Sequence, residues 1–189
     1  MYGDQYWEKM AIEDPLNAIC SGFTLKKFNT PTESIIFDAK IPFSKEQTVL
    51  DLGCGLGRTA KWVAPQVSQY IGVDVAQNMI DSAKIFNKNI SNTKFIKGNG
   101  KDLSEFEDNY FDIIFSELVF IHLPKEITFS YFQEIIRVLK PRGRAYLQFP
   151  SFNNYENGFN VEELTTLPGD FKIISLDNSI NPKLKTVLV

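Results

Sequence analysis

The sequence predicts an α/β fold with a doubly wound, mostly parallel sheet. Two observations predict this fold class. An apolar, β-branched run at residues 48–52 stops at three alternating glycines, and a helical pattern begins just after them at Arg58. Further apolar runs at residues 70–74 and 111–116 are separated by helical patterns, and the second run is as apolar as a buried parallel strand should be.

The overall composition is that of a globular protein. The 189 residues, of which 43% are hydrophobic and 23% charged, suit a single domain spanning residues 1–189. A net charge of −3 gives no general electrostatic reason to expect binding to nucleic acid or to an anionic membrane. No apolar run approaches the roughly 18 residues of a membrane span, and the first residues lack the basic and then apolar pattern of a signal peptide.

Cysteine and histidine are too scarce for a disulfide framework or a zinc site. The two cysteines, Cys20 and Cys54, lie far apart in the chain, and His122 is the only histidine. The sequence therefore predicts no bound metal and a reducing, cytoplasmic location. We expect a monomer or homodimer that takes a small-molecule substrate rather than nucleic acid or membrane.

Residues 4–40 carry three helical patterns. Asp4 is a candidate cap for a helix that contains Tyr6 and Trp7, and a second pattern covers residues 14–19. Proline at the first helical position marks a third pattern at residues 30–37. The aromatic residues of the first helix either face a ligand or belong to the core.

The remaining elements alternate along the chain. We predict helices at residues 58–64, 76–88 and 124–139, and strands at 48–52, 70–74, 92–98, 111–116 and 145–150. A loop at residues 151–160, a short helix at 161–167 and two closing strands at 171–177 and 185–189 follow. Because that loop leaves a strand at the ligand-facing rim, its aromatic residues either line a pocket or anchor the loop.

The glycine loop indicates which ligand the fold takes. A dinucleotide fingerprint, G-x-G-x-x-G from Gly53, would need glycine where Arg58 stands, and the Gly-Lys-Ser/Thr of a phosphate-binding loop is absent. The residues instead form D-x-G-x-G-x-G, with Asp51 near the end of the strand. This pattern resembles motif I of class I S-adenosylmethionine (SAM) dependent methyltransferases, and three later segments up to residue 150 match that family in order.

The resemblance implies a Rossmann-like fold with an antiparallel C-terminal edge strand and a helical lid formed by residues 1–42. It also implies SAM as the cofactor. Trp7 on the lid is a candidate contact for the sulfonium cation, because aromatic faces attract cations. The glycine loop supplies the first group of candidate cofactor contacts, which are Asp51, Gly53, Cys54, Gly55 and Gly57.

Asp74 is the last residue of the second strand, the position at which an acidic residue binds the ribose hydroxyls in doubly wound sheets. A carboxylate suits this role because it accepts hydrogen bonds from two hydroxyl groups, and capping the next helix is the alternative. Val75, Asn78 and Met79 would flank the adenosine, and packing in the core is the alternative for Met79. The family often has an acid where Asn99 stands, so Asn99 and Gly100 are the candidate adenine contacts, with the amide oxygen of Asn99 as acceptor. Asp102 is an alternative acceptor, and a polar turn without a cofactor contact is the other alternative.

Ser116 ends the fourth strand, and Glu117, Leu118 and Val119 follow it. In that family the end of this strand faces the transferred methyl group, so the resemblance places these residues beside the methionine part of the cofactor. Glu117 is a candidate to orient a substrate or to act as a base if buried, and a solvated acid at a helix start is the alternative. His122 is the only histidine and therefore the natural candidate for a general base, and a structural hydrogen bond is its alternative role.

Together these residues predict methyl transfer from SAM to a small-molecule acceptor by in-line displacement. The Asn/Asp-Pro-Pro-Tyr segment of nucleic-acid amino-methylases is absent from residues 116–119. Three other functions stay open. They are a protein methyltransferase, a non-catalytic SAM-binding regulatory or partner subunit, and a dehydrogenase, against which the glycine spacing argues.

Overall fold

The computed structural model describes residues 4–15, 41–150, 163, 175–177 and 184–188. Most of the predicted lid lies outside these ranges, including the helical patterns at residues 16–19 and 30–37. The predicted loop at residues 151–160 and the helix at 161–167, apart from residue 163, also lie outside them. The predictions for those segments therefore stay predictions.

Within the described ranges, seven strands form one sheet in the order β3-β2-β1-β4-β5-β7-β6. Strands β1 to β5 run parallel to one another, whereas β7 runs antiparallel to both β5 and β6. The doubly wound, mostly parallel sheet is confirmed. The C-terminal strand is antiparallel as predicted, but β6 rather than β7 forms the edge of the sheet. The strands are β1 (Thr48–Leu52), β2 (Gln69–Asp74), β3 (Thr93–Lys97), β4 (Phe111–Ser116), β5 (Leu139–Pro150), β6 (Ser175–Asp177) and β7 (Leu184–Leu188).

The described helices follow the predicted order. Up to residue 150, most predicted bounds agree within one residue. Helix α2 begins two residues late, at Ala60, because residues 55–59 form a turn, and α3 ends two residues early, at Phe86. Strand β5 begins six residues early, at Leu139, directly after α4. The early start of β5 depends on a bulge, since Phe111 of β4 pairs with Leu139 but Ile113 pairs with Arg144. The helices are α1 (Asp4–Glu13), α2 (Ala60–Val63), α3 (Gln77–Phe86) and α4 (Lys125–Val138), with 3₁₀ turns at Ala64–Gln66 and Phe120–His122.

Apolar side chains pack on both faces of the sheet. Leu50 and Leu52 of β1 face one layer, which contains Phe132 of α4. Val49 of β1 faces the opposite layer, which contains Ile80 of α3. This alternation follows from the period of two along a strand, and helices on both faces leave the carboxyl ends of the strands free to form a site.

Among residues 4–15 and 41–150 and the short described pieces beyond them, no helix is both long and apolar enough to cross a membrane.

Candidate functional site

A cavity of about 510 Å³ opens at the carboxyl ends of β1, β2, β3 and β4. Its position agrees with the general rule that ligands of doubly wound sheets collect beyond these strand ends. Most of the predicted site residues line this cavity. These are Trp7, Asp51, Gly53, Cys54, Gly55, Asp74, Val75, Met79, Asn99, Gly100, Glu117, Leu118, Val119 and His122.

The glycine loop forms one wall of the cavity. The backbone N–H groups of Gly53 and Cys54 both donate to the carbonyl oxygen of Val73, at 2.7 and 3.0 Å. Gly53 has a φ of +79°, and a β-carbon added there would lie 2.0 Å from Cγ2 of Val119. The loop therefore needs glycine at this position both for its backbone conformation and for its close approach to the segment after β4.

Gly57 and Ser116 are predicted cofactor contacts, but neither lines the cavity. A β-carbon on Gly57 would lie 2.7 Å from both the Phe95 ring and the Asn87 amide nitrogen, so this glycine allows close packing behind the loop. The Ser116 hydroxyl is fully buried and donates to the carbonyl oxygen of Leu52 at 2.9 Å. Both residues therefore support the wall of the cavity from behind.

The Asp74 carboxylate is bound to backbone groups on two sides. One oxygen accepts a hydrogen bond from the Gly55 N–H at 2.9 Å, and the other accepts from the Ala76 N–H at 3.0 Å. Burial raises the pKa of Asp74 and these donors partly offset the rise. Each carboxylate oxygen has a second lone pair, so the group can still accept hydrogen bonds from a ligand in the cavity.

Helix α1 is attached to the start of α3 through Glu8, a residue for which the sequence pattern predicts no role. The two Glu8 oxygens accept hydrogen bonds from the backbone N–H groups of Gln77 and Asn78, at 2.7 and 3.1 Å, and Lys97 lies 3.2 Å away. Burial alone would raise the pKa of Glu8, but these donors lower it. The attachment holds α1 beside the cavity.

The side chains of Trp7 in α1 and His122 are in contact, and both line the cavity. Their ring centroids lie 4.8 Å apart with an interplanar angle of 69°, an edge-to-face contact. Burial lowers the pKa of His122 below its ordinary 6.5, so the imidazole is neutral at pH 7. The structure therefore brings together Trp7 of α1 and the candidate base, a contact that the sequence pattern does not predict.

Glu117 forms an ion pair with Arg58 in the cavity wall. The Nη2 to Oε2 distance is 3.3 Å, and the two side chains are 9% and 13% exposed. Arg58 stands where a dinucleotide fingerprint would have glycine, and the sequence analysis assigned it only to a helix start. A nearly buried carboxylate held against a guanidinium is fixed in orientation, which suits positioning of a substrate better than proton transfer.

Asn99 lines the cavity, but its side chain is occupied within its own turn. The amide oxygen accepts from the N–H groups of Lys101 and Asp102, at 2.8 and 3.0 Å. The amide nitrogen donates to an oxygen of Asp102 at 2.6 Å. The oxygen that we expected to accept from an adenine amine therefore already accepts two hydrogen bonds.

Asp51 is a buried carboxyl group of the cavity wall. It is 5% exposed and accepts hydrogen bonds from the hydroxyl groups of Thr59 and Tyr70. Burial raises the pKa of Asp51 to about 6, although both hydroxyl donors and the charge of Arg58 oppose the rise. The group thus titrates between the ordinary range of a carboxyl and neutrality.

We expect Asp51 to make the protein less stable as the pH rises. Because the folded pKa lies above that of the unfolded chain, the folded state keeps a proton that the unfolded state has lost, and this advantage disappears as the pH passes about 6. Between about pH 4 and pH 8, the free energy of unfolding of the wild type should fall by roughly 2 kcal/mol more than that of the Asp51→Asn variant. Urea unfolding at both pH values measures the difference, and parallel pH profiles would contradict the assignment.

The fold and this site define an α/β protein with a glycine-walled ligand cavity at the carboxyl ends of its parallel strands. Comparison with known proteins then identifies the family. Residues 50–147 match the family described as "Methyltransferase domain". The chain therefore belongs to the methyltransferase domain family.

Two individual relatives are also named methyltransferases. The chain is 36% identical over 104 residues to an uncharacterized methyltransferase, YcgJ, of Bacillus subtilis, covering 54% of this chain and 40% of that one. It is 35% identical over 129 residues to sterol 24-C-methyltransferase erg-4 of Neurospora crassa, covering 66% and 33%. Matches to the curated relatives span about a fifth to two fifths of their lengths.

A solved structure shares the fold at lower identity. Phosphoethanolamine N-methyltransferase 1 of Haemonchus contortus, in complex with phosphoethanolamine and S-adenosylhomocysteine, has a TM-score of 0.68 at 18% identity. The match covers 76% of this chain and 30% of that one. It shows that the two chains share the doubly wound fold.

Proposed function

We propose that this chain transfers a methyl group from SAM to a small-molecule acceptor. The observation that carries the proposal is the glycine-walled cavity, with the Asp74 carboxylate at the end of β2, in a chain of the methyltransferase domain family. SAM supplies an activated methyl group when bound. The protein then has to bind the cofactor, orient the acceptor opposite the sulfur and exclude water.

Each part of the cavity has a proposed role in holding the cofactor. Asp74 accepts hydrogen bonds from the ribose hydroxyls, and Val75 and Met79 flank the adenosine. Gly53 and Gly55 let the backbone approach the methionine part closely. The remaining proposed cofactor contacts are Trp7, Asp51, Cys54, Asn99, Gly100, Glu117 and Leu118, all of which line the cavity.

The chemical step depends on positioning and, for an acidic acceptor, on proton removal. We assign proton removal to His122, which is neutral at pH 7 and lines the cavity. Glu117, held by Arg58, orients the acceptor. A base is required only when the attacking atom carries a proton that it must lose.

His122→Asn is expected to lower turnover by about 100-fold or more while leaving the affinity for SAM unchanged. Burial lowers the pKa of His122, so wild-type activity should fall only at a pH below the ordinary pKa of an imidazole, where the ring becomes protonated. The activity of the variant should not fall in this acidic range. Turnover is measured by release of S-adenosylhomocysteine with an acceptor found by screening. Equal turnover in the two proteins would assign His122 a purely structural role.

The cofactor assignment is tested first by calorimetric titration with SAM, S-adenosylhomocysteine and NAD. We expect micromolar binding of the first two ligands and none of NAD. Binding of NAD alone would overturn the methyltransferase proposal in favour of a dehydrogenase, and no binding at all would overturn SAM as cofactor.

Acceptor screening then separates the remaining functions. Sterol and phosphoethanolamine methyltransferases among the relatives support a small-molecule acceptor, with its target atom open. Methylation of a protein side chain would replace the small-molecule proposal. SAM binding without turnover on any acceptor would indicate a regulatory or partner subunit. The cytoplasmic location and the monomeric or homodimeric state stay predictions of the sequence.

A further inference from the structure

Tyr131 of α4 is a cavity residue to which no role has yet been given. It is 5% exposed and lines the cavity together with Ile127, one turn earlier in the helix. Within the described part of the chain, its hydroxyl makes no hydrogen bond. Among the described residues, no fully buried side-chain nitrogen or oxygen atom lacks a hydrogen-bond partner. Because the Tyr131 hydroxyl has no such partner, it is not fully buried, and it is open to the cavity that Tyr131 lines.

Two hydrogen bonds fix which end of the cavity Tyr131 faces. Glu134, three residues further along α4, accepts from the Leu103 N–H at 3.2 Å, and Arg137 donates to the Leu103 carbonyl oxygen at 3.0 Å. Residues 127, 131 and 134 lie on one face of a helix because of its 3.6-residue period. That face therefore runs from the cavity, which Ile127 and Tyr131 line, to the loop that follows β3, which Glu134 contacts, so Tyr131 lies on the side of the cavity next to that loop.

The loop after β3 forms the end of the cavity beyond the proposed ribose site. The Gly98 N–H donates to the backbone carbonyl oxygen of Asp74 at 2.9 Å, which joins this loop to the end of β2. A nucleoside whose ribose binds Asp74 would direct its base toward Asn99 and Gly100. The Asn99 amide oxygen already accepts two backbone hydrogen bonds, so this end needs another polar group to bind a base edge.

We propose that the Tyr131 hydroxyl binds the adenine edge that carries the exocyclic amine, and so provides the contact that Asn99 does not. The assignment rests on the proposed cofactor. Burial and then the nearby carboxylates of Glu105, Asp102 and Asp74 raise the pKa of Tyr131, so the hydroxyl keeps its proton near neutral pH. A neutral hydroxyl both donates and accepts, which suits an edge that presents an amine beside a ring nitrogen.

The test compares two ligands on two proteins by calorimetry. The ligands are S-adenosylhomocysteine and its analogue with unsubstituted purine in place of adenine, and the proteins are the wild type and Tyr131→Phe. The variant keeps the ring and removes a hydroxyl without a protein partner, so we expect the same melting temperature. Tyr110→Phe is the matched control, because Tyr110 is half-buried and does not line the cavity.

The wild type and Tyr110→Phe should bind S-adenosylhomocysteine about fivefold more tightly than the purine analogue, which corresponds to one hydrogen bond. Tyr131→Phe should bind both ligands with nearly equal affinity. Full discrimination in Tyr131→Phe would overturn the assignment of Tyr131 and leave the cofactor intact. Failure of the wild type to bind S-adenosylhomocysteine would instead overturn the proposed function, and the assignment of Tyr131 with it.

Discussion

Replacing Asp74 by alanine is expected to weaken SAM binding by more than about tenfold, since a hydrogen bond to a charged group contributes about 1.5–3 kcal/mol. The structure adds a second reason for a large effect. The same carboxylate accepts from the Gly55 N–H and the Ala76 N–H, so its loss also removes one of the hydrogen bonds between the glycine loop and the end of β2. Calorimetric titration with SAM measures the change.

A matched control distinguishes the loss of Asp74 from a general loss of negative charge. Asp81 lies on α3 with its side chain 57% exposed and does not line the cavity, so Asp81→Ala should bind SAM as the wild type does. Thermal unfolding checks that both variants are folded. A folded Asp74→Ala protein with unchanged affinity would remove the ribose assignment.

Gly53→Ala is expected to lower the free energy of unfolding by about 3 kcal/mol and to abolish measurable SAM binding. A positive φ is unfavourable for alanine by about 1–2 kcal/mol, and overpacking adds about 1–3 kcal/mol. The overpacking is severe because the new methyl group would lie 2.0 Å from Cγ2 of Val119. Urea unfolding and calorimetry measure the two effects.

Two further variants separate the backbone effect from the clash. Gly100 has a similar φ of +74°, but a β-carbon there would lie 3.1 Å from Val75, so Gly100→Ala should lose less stability than Gly53→Ala. In the double variant Gly53→Ala/Val119→Ala, the loss in free energy of unfolding should be smaller than the sum of the losses in the two single variants, because the shorter side chain at position 119 relieves the clash. Strict additivity would show that the contact with Val119 is not the cause.

Much of the sheet could be predicted because its signals are local. The bounds of β1 and β4 agree with the apolar runs from which they were predicted, and Asp74 ends β2 as expected. Strand β5 was predicted too short because its first residues, Lys140 to Gly143, form an irregular stretch opposite β4. Such a bulge depends on the partner strand, which a single strand's pattern does not describe.

The candidate site could be predicted only in part. The glycine loop and Asp74 have a recognisable spacing, and the structure places them in one cavity wall. Glu8 and Tyr131 have no such pattern, because an acid on a surface helix and an aromatic residue on an amphipathic helix are both common. Each acquires its position from a neighbour that is distant in the chain.

The sequence by itself determined the order of strands and helices, the sharp turn after β1 and the acid at the end of β2. Each of these depends on a few consecutive residues, through side-chain period and backbone freedom. The tertiary structure alone decided that Glu8 holds α1 against the start of α3, that Arg58 pairs with Glu117 and that Tyr131 lines the cavity. These contacts join residues far apart in the chain, so they exist only once both layers have packed on the sheet.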